Sequence, residues 1–168
     1  NPSLPVALLT TGSRPLSRED QERFPCQRVV VLTPDGGSAV GDRLRGAGIE
    51  VVELRARAVA TMEAGAIVRA LDGCDTLVYA AHEETCLDHE DAAIAGILQA
   101  QAGLFFRCFQ ALVPLLDAQP MRVLVPVSQD GSFGAWPRTR VRPLGAFPAA
   151  WVRCLQQELP ACRFQLID

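Results

Sequence analysis

The sequence predicts an α/β fold, an open and mostly parallel sheet with helices on both faces. Three observations point to it. From residue 28 onward, short apolar runs alternate with segments of helical periodicity, in the order strand, helix, strand, helix, strand, helix, strand, helix, strand. The first of these strands, Arg28-Val29-Val30-Val31-Leu32, runs into a turn cluster, Thr33-Pro34-Asp35-Gly36-Gly37, and then into a helix. The third strand, Asp75 to Ala81, is apolar almost throughout, as a parallel strand covered on both faces must be. Right-handed crossovers then give a single open parallel sheet.

Composition narrows the class. The chain has 168 residues, enough for one domain with a substantial core, and 49% of them are hydrophobic, which argues against disorder. No apolar run reaches the roughly 18 residues needed to span a bilayer. The opening Asn1-Pro2-Ser3-Leu4-Pro5 reads as a linker and lacks the charged start of a signal peptide. A cytoplasmic protein without a membrane partner is expected. The net charge of -3 supplies no basic field, so no nucleic-acid partner is expected either. Cys26, Cys74, Cys86, Cys108, Cys154 and Cys162 are scattered, without a CxxC pair or a cluster with His82 and His89. They read as reduced, mostly buried thiols, and no metal site is expected. All 16 basic residues are arginine. A phosphate-loop lysine, a Schiff-base lysine and a lysine beside a catalytic tyrosine are therefore excluded for this chain acting alone.

The elements follow in order. Residues 1–27 form a lead-in, with Pro5 to Thr11 as a strand and Ser17 as the cap of a short helix, and residues 28–168 form the domain. Ser38 to Ala47 is a helix with Val40 and Leu44 on one face and Gly48 as its stop. Ile49 to Leu54 is the second strand. Thr61 caps a helix that runs to Leu71 and ends at Asp72-Gly73. After the third strand comes a polar loop, His82 to His89, and then the longest periodic segment, about residues 88–117. Its stripe comprises Ile94, Ile97, Leu98, Gln101, Phe105, Cys108, Phe109, Leu112 and Leu116. Met121 to Val127 is a strand in which Pro126 marks an edge or an end. Phe147 to Leu159 is a helix with Pro148 near its first turn and Val152, Leu155 and Leu159 inward. Cys162 to Ile167 is the last strand.

Four stretches resemble the short-chain dehydrogenase/reductase fold, and more closely the ketoreductase regions of polyketide synthases and polyunsaturated-fatty-acid-type synthases. Thr33-Pro34-Asp35-Gly36-Gly37 resembles a degraded glycine turn. Leu77-Val78-Tyr79-Ala80-Ala81-His82 stands where the reductases have an apolar strand ending Ala-Ala-Gly. Val127-Ser128-Gln129-Asp130-Gly131-Ser132-Phe133-Gly134 resembles the synthases' Ser/Thr-x-x-Asp-Gly-x-Phe-Gly loop. Pro143 through Pro160 resembles the Ala-rich helix that follows it. The resemblance covers about residues 28–168 and implies a truncated Rossmann-like domain. In those synthases a structural half, which binds no cofactor, stands beside a catalytic half that binds NADPH.

The residues favour the structural half. Aligned on Thr33, the three glycines of the reductase turn fall on Pro34, Ser38 and Val40, while Gly36, Gly37 and Gly41 lie out of register. Pro34 has a fixed φ and no N–H, and Val40 is expected to push a branched side chain toward the phosphate path. Glu53, at the expected end of the second strand, is either a ribose-binding acid or a solvated strand-end charge. Ser128 stands where the reductases polarise the carbonyl, but no tyrosine or lysine follows it. No cofactor is expected to bind this chain, and NADPH is expected in the partner half. The partners implied are that catalytic half and neighbouring synthase domains. A reductase with atypical residues and a docking module of degenerate reductase fold are the alternatives. On the long helix, Phe106 lies off the face set by Phe105 and Phe109. With Leu104 it is expected to form a second apolar patch, either covered by this domain or docked on a partner.

Overall fold

β1 is a strand whose four consecutive apolar residues point alternately to two faces, so all four are hidden because both faces of the sheet are covered. In a computed structural model of the chain, which describes residues 26–34, 38–80, 91–126 and 143–167, Val29, Val30, Val31 and Leu32 have no solvent exposure. The elements are β1 Arg28–Thr33, α1 Ala39–Gly46, β2 Glu50–Arg55, α2 Ala56–Val59, α3 Ala64–Leu71, β3 Thr76–Tyr79, α4 Asp91–Ala118, β4 Arg122–Pro126, α5 Pro143–Glu158 and β5 Arg163–Ile167. The five strands are all parallel, in the order β2-β1-β3-β4-β5. The chain steps from β1 to one side and returns to β3 on the other. This reversal opens a crevice at the carboxyl ends of β1 and β3.

Strand alternation divides the core. Val30, Leu32, Leu77, Tyr79, Val123, Val125 and Phe164 face a large cluster with residues of α2, α3, α4 and α5. Val29, Val31 and Val78 face the other way, against Val40 and Leu44 of α1. Among the described residues α1 is the one helix on that second face. The predicted stripe of the long helix enters the large cluster from Phe105 onward, while Ile97 and Leu98 are only half-buried. Phe105, Cys108, Phe109, Leu112 and Leu116 are buried, and the Tyr79 and Phe105 rings meet edge to face at 4.8 Å. Burying each such side chain contributes about 1.5–3 kcal/mol.

Several boundaries differ from the sequence expectation. Thr61 does not cap a helix. Its hydroxyl donates to the Ala58 carbonyl at 3.1 Å, and α3 starts after Glu63 without a side-chain cap. The cause is α2, which folds directly off β2 and buries Ala56 and Val59. α5 starts at Pro143, where a missing N–H costs nothing, so Pro148 lies inside the helix and not in its first turn. Pro126 is the last residue of β4, a strand flanked by β3 and β5, so its position is an end and not an edge.

The described cysteines are free thiols. Cys74, Cys108 and Cys162 are buried, Cys26 is half-buried, and Cys154 is exposed. Burial pushes the Cys108 thiol up to about 12 and raises the Tyr79 hydroxyl as well. Among the described residues no helix is long and apolar enough to cross a membrane.

Candidate functional site

The crevice at the carboxyl edge of the sheet is lined by Pro34, just past β1, Arg57 of α2, and Ile97, Ala100, Gln101, Leu104 and Arg107 of α4. Its volume is about 260 Å³. The lining combines the apolar Pro34, Ile97, Ala100 and Leu104 with one amide and two guanidinium groups. The crevice can attract an anion, but its described walls offer no general acid or base.

The turn beside it is built from the residues upward. Thr33 closes β1 and is buried. Ser38 caps α1 from an extended backbone, and its hydroxyl accepts a hydrogen bond from the Gly41 N–H at 2.8 Å. Val40 packs on the cluster of Val29, Val31 and Val78. The expected intrusion of Val40 into the phosphate path is thus corrected. α1 starts at Ala39, which places Val40 one turn before Leu44 on the inward face.

Gly41 and Glu53 are corrected together. β2 runs on to Arg55, so Glu53 is not at the strand end; it pairs in register with Val31, in the strand interior. Nor is it a solvated charge. Its side chain is 18% exposed and meets Arg45 of α1 at 3.0 Å, and Arg45 also bonds Asp42 at 3.0 Å. Gly41, out of register by alignment, does the work of a helix–strand contact. A methyl group built on it would overlap a Glu53 carboxylate oxygen and come within 3.2 Å of the Ser38 hydroxyl. The signal was a glycine inside a helical pattern, which costs about 1 kcal/mol unless a close approach requires it.

Measured against a pyrophosphate, the described part of this turn does not fit. Pro34 offers no N–H, the Gly41 N–H is engaged by Ser38, and the Glu53 carboxylate lies under the start of the helix where it would repel an anion. Gly36, Gly37, His82, His89, the acidic loop between them and Ser128 lie outside the described residues. Among the described residues no group of His, Cys, Asp and Glu could hold a metal ion.

Leu104 and Phe106 do not form one patch. They lie about 200° apart around α4. Leu104 is half-buried and lines the crevice. Phe106 is 47% exposed on the opposite flank, 5.4 Å from the Trp151 ring of α5. There, Phe106, Phe109, Val113, Trp151 and Leu155 line an apolar groove of about 250 Å³ between α4 and α5. Sequence reasoning missed Trp151, which α5 brings beside Phe106, because the two residues are far apart along the chain.

No protein-family model matches the chain, and no curated protein matches its sequence. Solved structures match its fold. A short-chain dehydrogenase from Mycobacterium smegmatis superposes with a TM-score of 0.52 at 15% identity, over 84% of this chain and 75% of that one. An NAD+-bound xylitol dehydrogenase gives 0.53 at 15% identity, over 82% of this chain and 67% of that one. A 3-oxoacyl-[acyl-carrier protein] reductase from Brucella melitensis gives 0.53 at 19% identity, over 82% of this chain and 61% of that one. The chain therefore has a Rossmann-like fold of the short-chain dehydrogenase/reductase type. It spans between 61% and 75% of the length of these proteins.

Proposed function

We propose that this chain is the non-catalytic structural subdomain of a ketoreductase region in a modular polyketide or fatty-acid-type synthase, a scaffold for a separate NADPH-binding catalytic half. The observation that carries the reading is the first turn. Where a dinucleotide needs open N–H groups and close backbone approach, this chain has Pro34, a cap between Ser38 and Gly41, and the Glu53 carboxylate held by Arg45. The absence of lysine from the whole sequence supports the same view, because the resembled reductases hold the nicotinamide ribose with one. The groove at Phe106 and Trp151 is the proposed contact with the catalytic half, and the site of action is cytoplasmic. A reductase with atypical residues is the rival, favoured by the likeness in fold to an NAD+-bound dehydrogenase. One titration separates the two. NADH and NADPH, followed by fluorescence and calorimetry, are expected to give no saturable binding to the chain alone. Saturation in the micromolar range would overturn the scaffold reading and install the reductase.

A further inference from the structure

α4 and α5 lie side by side and run the same way. Each leads into one of two neighbouring parallel strands, β4 and β5, and packs on the face of the large cluster. Their carboxyl ends therefore come together, and the Cys162 thiol just past α5 donates to the Leu116 carbonyl of α4 at 3.4 Å. The carboxyl end of a helix carries partial negative charge and is stabilised by a cation in its last turn. Neither α4 nor α5 has a basic residue there. Asp117 and Glu158 stand in those turns instead, and among the described residues neither is in an ion pair. Arg122 and Arg163, which open β4 and β5, point by alternation to the opposite face of the sheet from Val123 and Phe164.

The apolar groove between the two helices runs toward this acidic end. Phe106 and Trp151 flank it at one end, and Glu158 is the one charged side chain among its lining residues. Pro114 also lines it and has no N–H, so the Gln110 carbonyl one turn earlier lacks its usual helical partner. Trp151 and Glu158 are seven residues apart on α5, about 10.5 Å along one face of the helix.

We propose that this groove seats a basic amphipathic helix of the partner chain. An apolar side chain of that helix enters beside Phe106 and Trp151, and an arginine or lysine seven positions along it meets Glu158. A helix fits because its residues at i and i+7 share one face at the spacing of Trp151 and Glu158. The cation pairs with the carboxylate and supplies the charge that the two helix ends lack, and the Gln110 carbonyl is a further acceptor in the groove. A second copy of this chain, joined through the same groove about a two-fold axis, offers no cation in return. The inference rests on the groove being the contact with the catalytic half, and adds that this half presents a cation there.

The test uses two helical peptides of about 15 residues in an alanine background. One carries leucine at i, i+3 and i+4 and arginine at i+7; its twin carries glutamate at i+7. Each is titrated into the chain, with the Trp151 indole resonance and the heat of binding followed. The arginine peptide is expected to bind at least about tenfold more tightly than its twin, the difference one charge-assisted contact makes. Glu158→Lys is expected to reverse that order. Phe106→Ala is expected to weaken the arginine peptide about tenfold and to leave its lead over the twin. Equal affinity of the two peptides for the wild-type chain overturns the proposal, and so does binding of neither. An unchanged order in folded Glu158→Lys overturns it as well. The scaffold reading fails by a different result, saturable nicotinamide binding, so the two failures are distinct.

Discussion

Gly41→Ala tests whether α1 is docked on a buried carboxylate. In an ordinary helix the change is favourable, because alanine orders the backbone at a lower entropic cost, by about 1 kcal/mol. Here the new methyl group would overlap a Glu53 carboxylate oxygen and lie 3.4 Å from its Cδ. Either the carboxylate swings away from Arg45 or α1 lifts off β2. Overpacking of this kind costs about 1–3 kcal/mol. After the helix gain is subtracted, a net loss of about 0–2 kcal/mol is expected. At about 2–4 °C per kcal/mol for a chain of this size, the melting temperature falls by up to about 8 °C.

The decisive experiment is the double-mutant cycle with Glu53→Ala. Removing the carboxylate leaves the Ser38 hydroxyl, at 3.2 Å, as the one close neighbour, so Gly41→Ala should then stabilise the chain by up to about 0.5–1 kcal/mol. The sign of one substitution reverses with the residue across from it. Urea titrations of the four proteins measure both legs at constant m-value. If Gly41→Ala has the same sign and size in both backgrounds, Glu53 is not what Gly41 makes room for.

Two further outcomes are expected. Phe106→Glu should leave the isolated chain folded, losing at most the ring contact with Trp151, about 0.5–1.5 kcal/mol, while weakening its association with the proposed catalytic half; a circular-dichroism melt and a pull-down on the same variant check this, and an unfolded variant would place Phe106 in the core and end the docking claim there. Iodoacetamide near pH 8 should modify Cys154 and spare Cys108 in the folded chain. Because burial raises the Cys108 thiol from 9.0 to about 12, the stability it favours is complete below about pH 9 and is lost as pH rises toward 12, so the melting temperature should fall over that window and fall less in Cys108→Ala.

The sheet was legible in the sequence because its strands are coded redundantly. Val29 to Leu32 could be hidden only between two layers, and Leu77 to Tyr79 repeats the code. The stripe of α4 was legible for a different reason: its burial pattern holds its period from Gln101 to Leu116, long enough for no strand to imitate it. α2 was not legible. It buries Ala56 and Val59 and nothing else, and two side chains three positions apart establish no period. The Thr61 cap failed through the same gap, because the backbone group that Thr61 satisfies belongs to α2. The alternation of strands and helices was legible from the residues themselves, the order β2-β1-β3-β4-β5 was not, and the synthase context rests on the resemblance alone.

The turn shows where residue types stop and register begins. Taken as ending at Leu54, the second strand puts Glu53 on the rim, free to meet a ribose or water. Extended by one residue to Arg55, it holds Glu53 in the sheet opposite Val31. Alternation then forces the carboxylate onto the same face as Val51, the face that α1 covers. An acid there is tolerable only with a cation above it and with room to lie down. α1 supplies both at one helical spacing, the hole at Gly41 and the guanidinium at Arg45, four residues apart on one face. The glycine that an alignment places out of register thus leaves room for the acid beneath it. Its presence in the turn is no sign of phosphate binding.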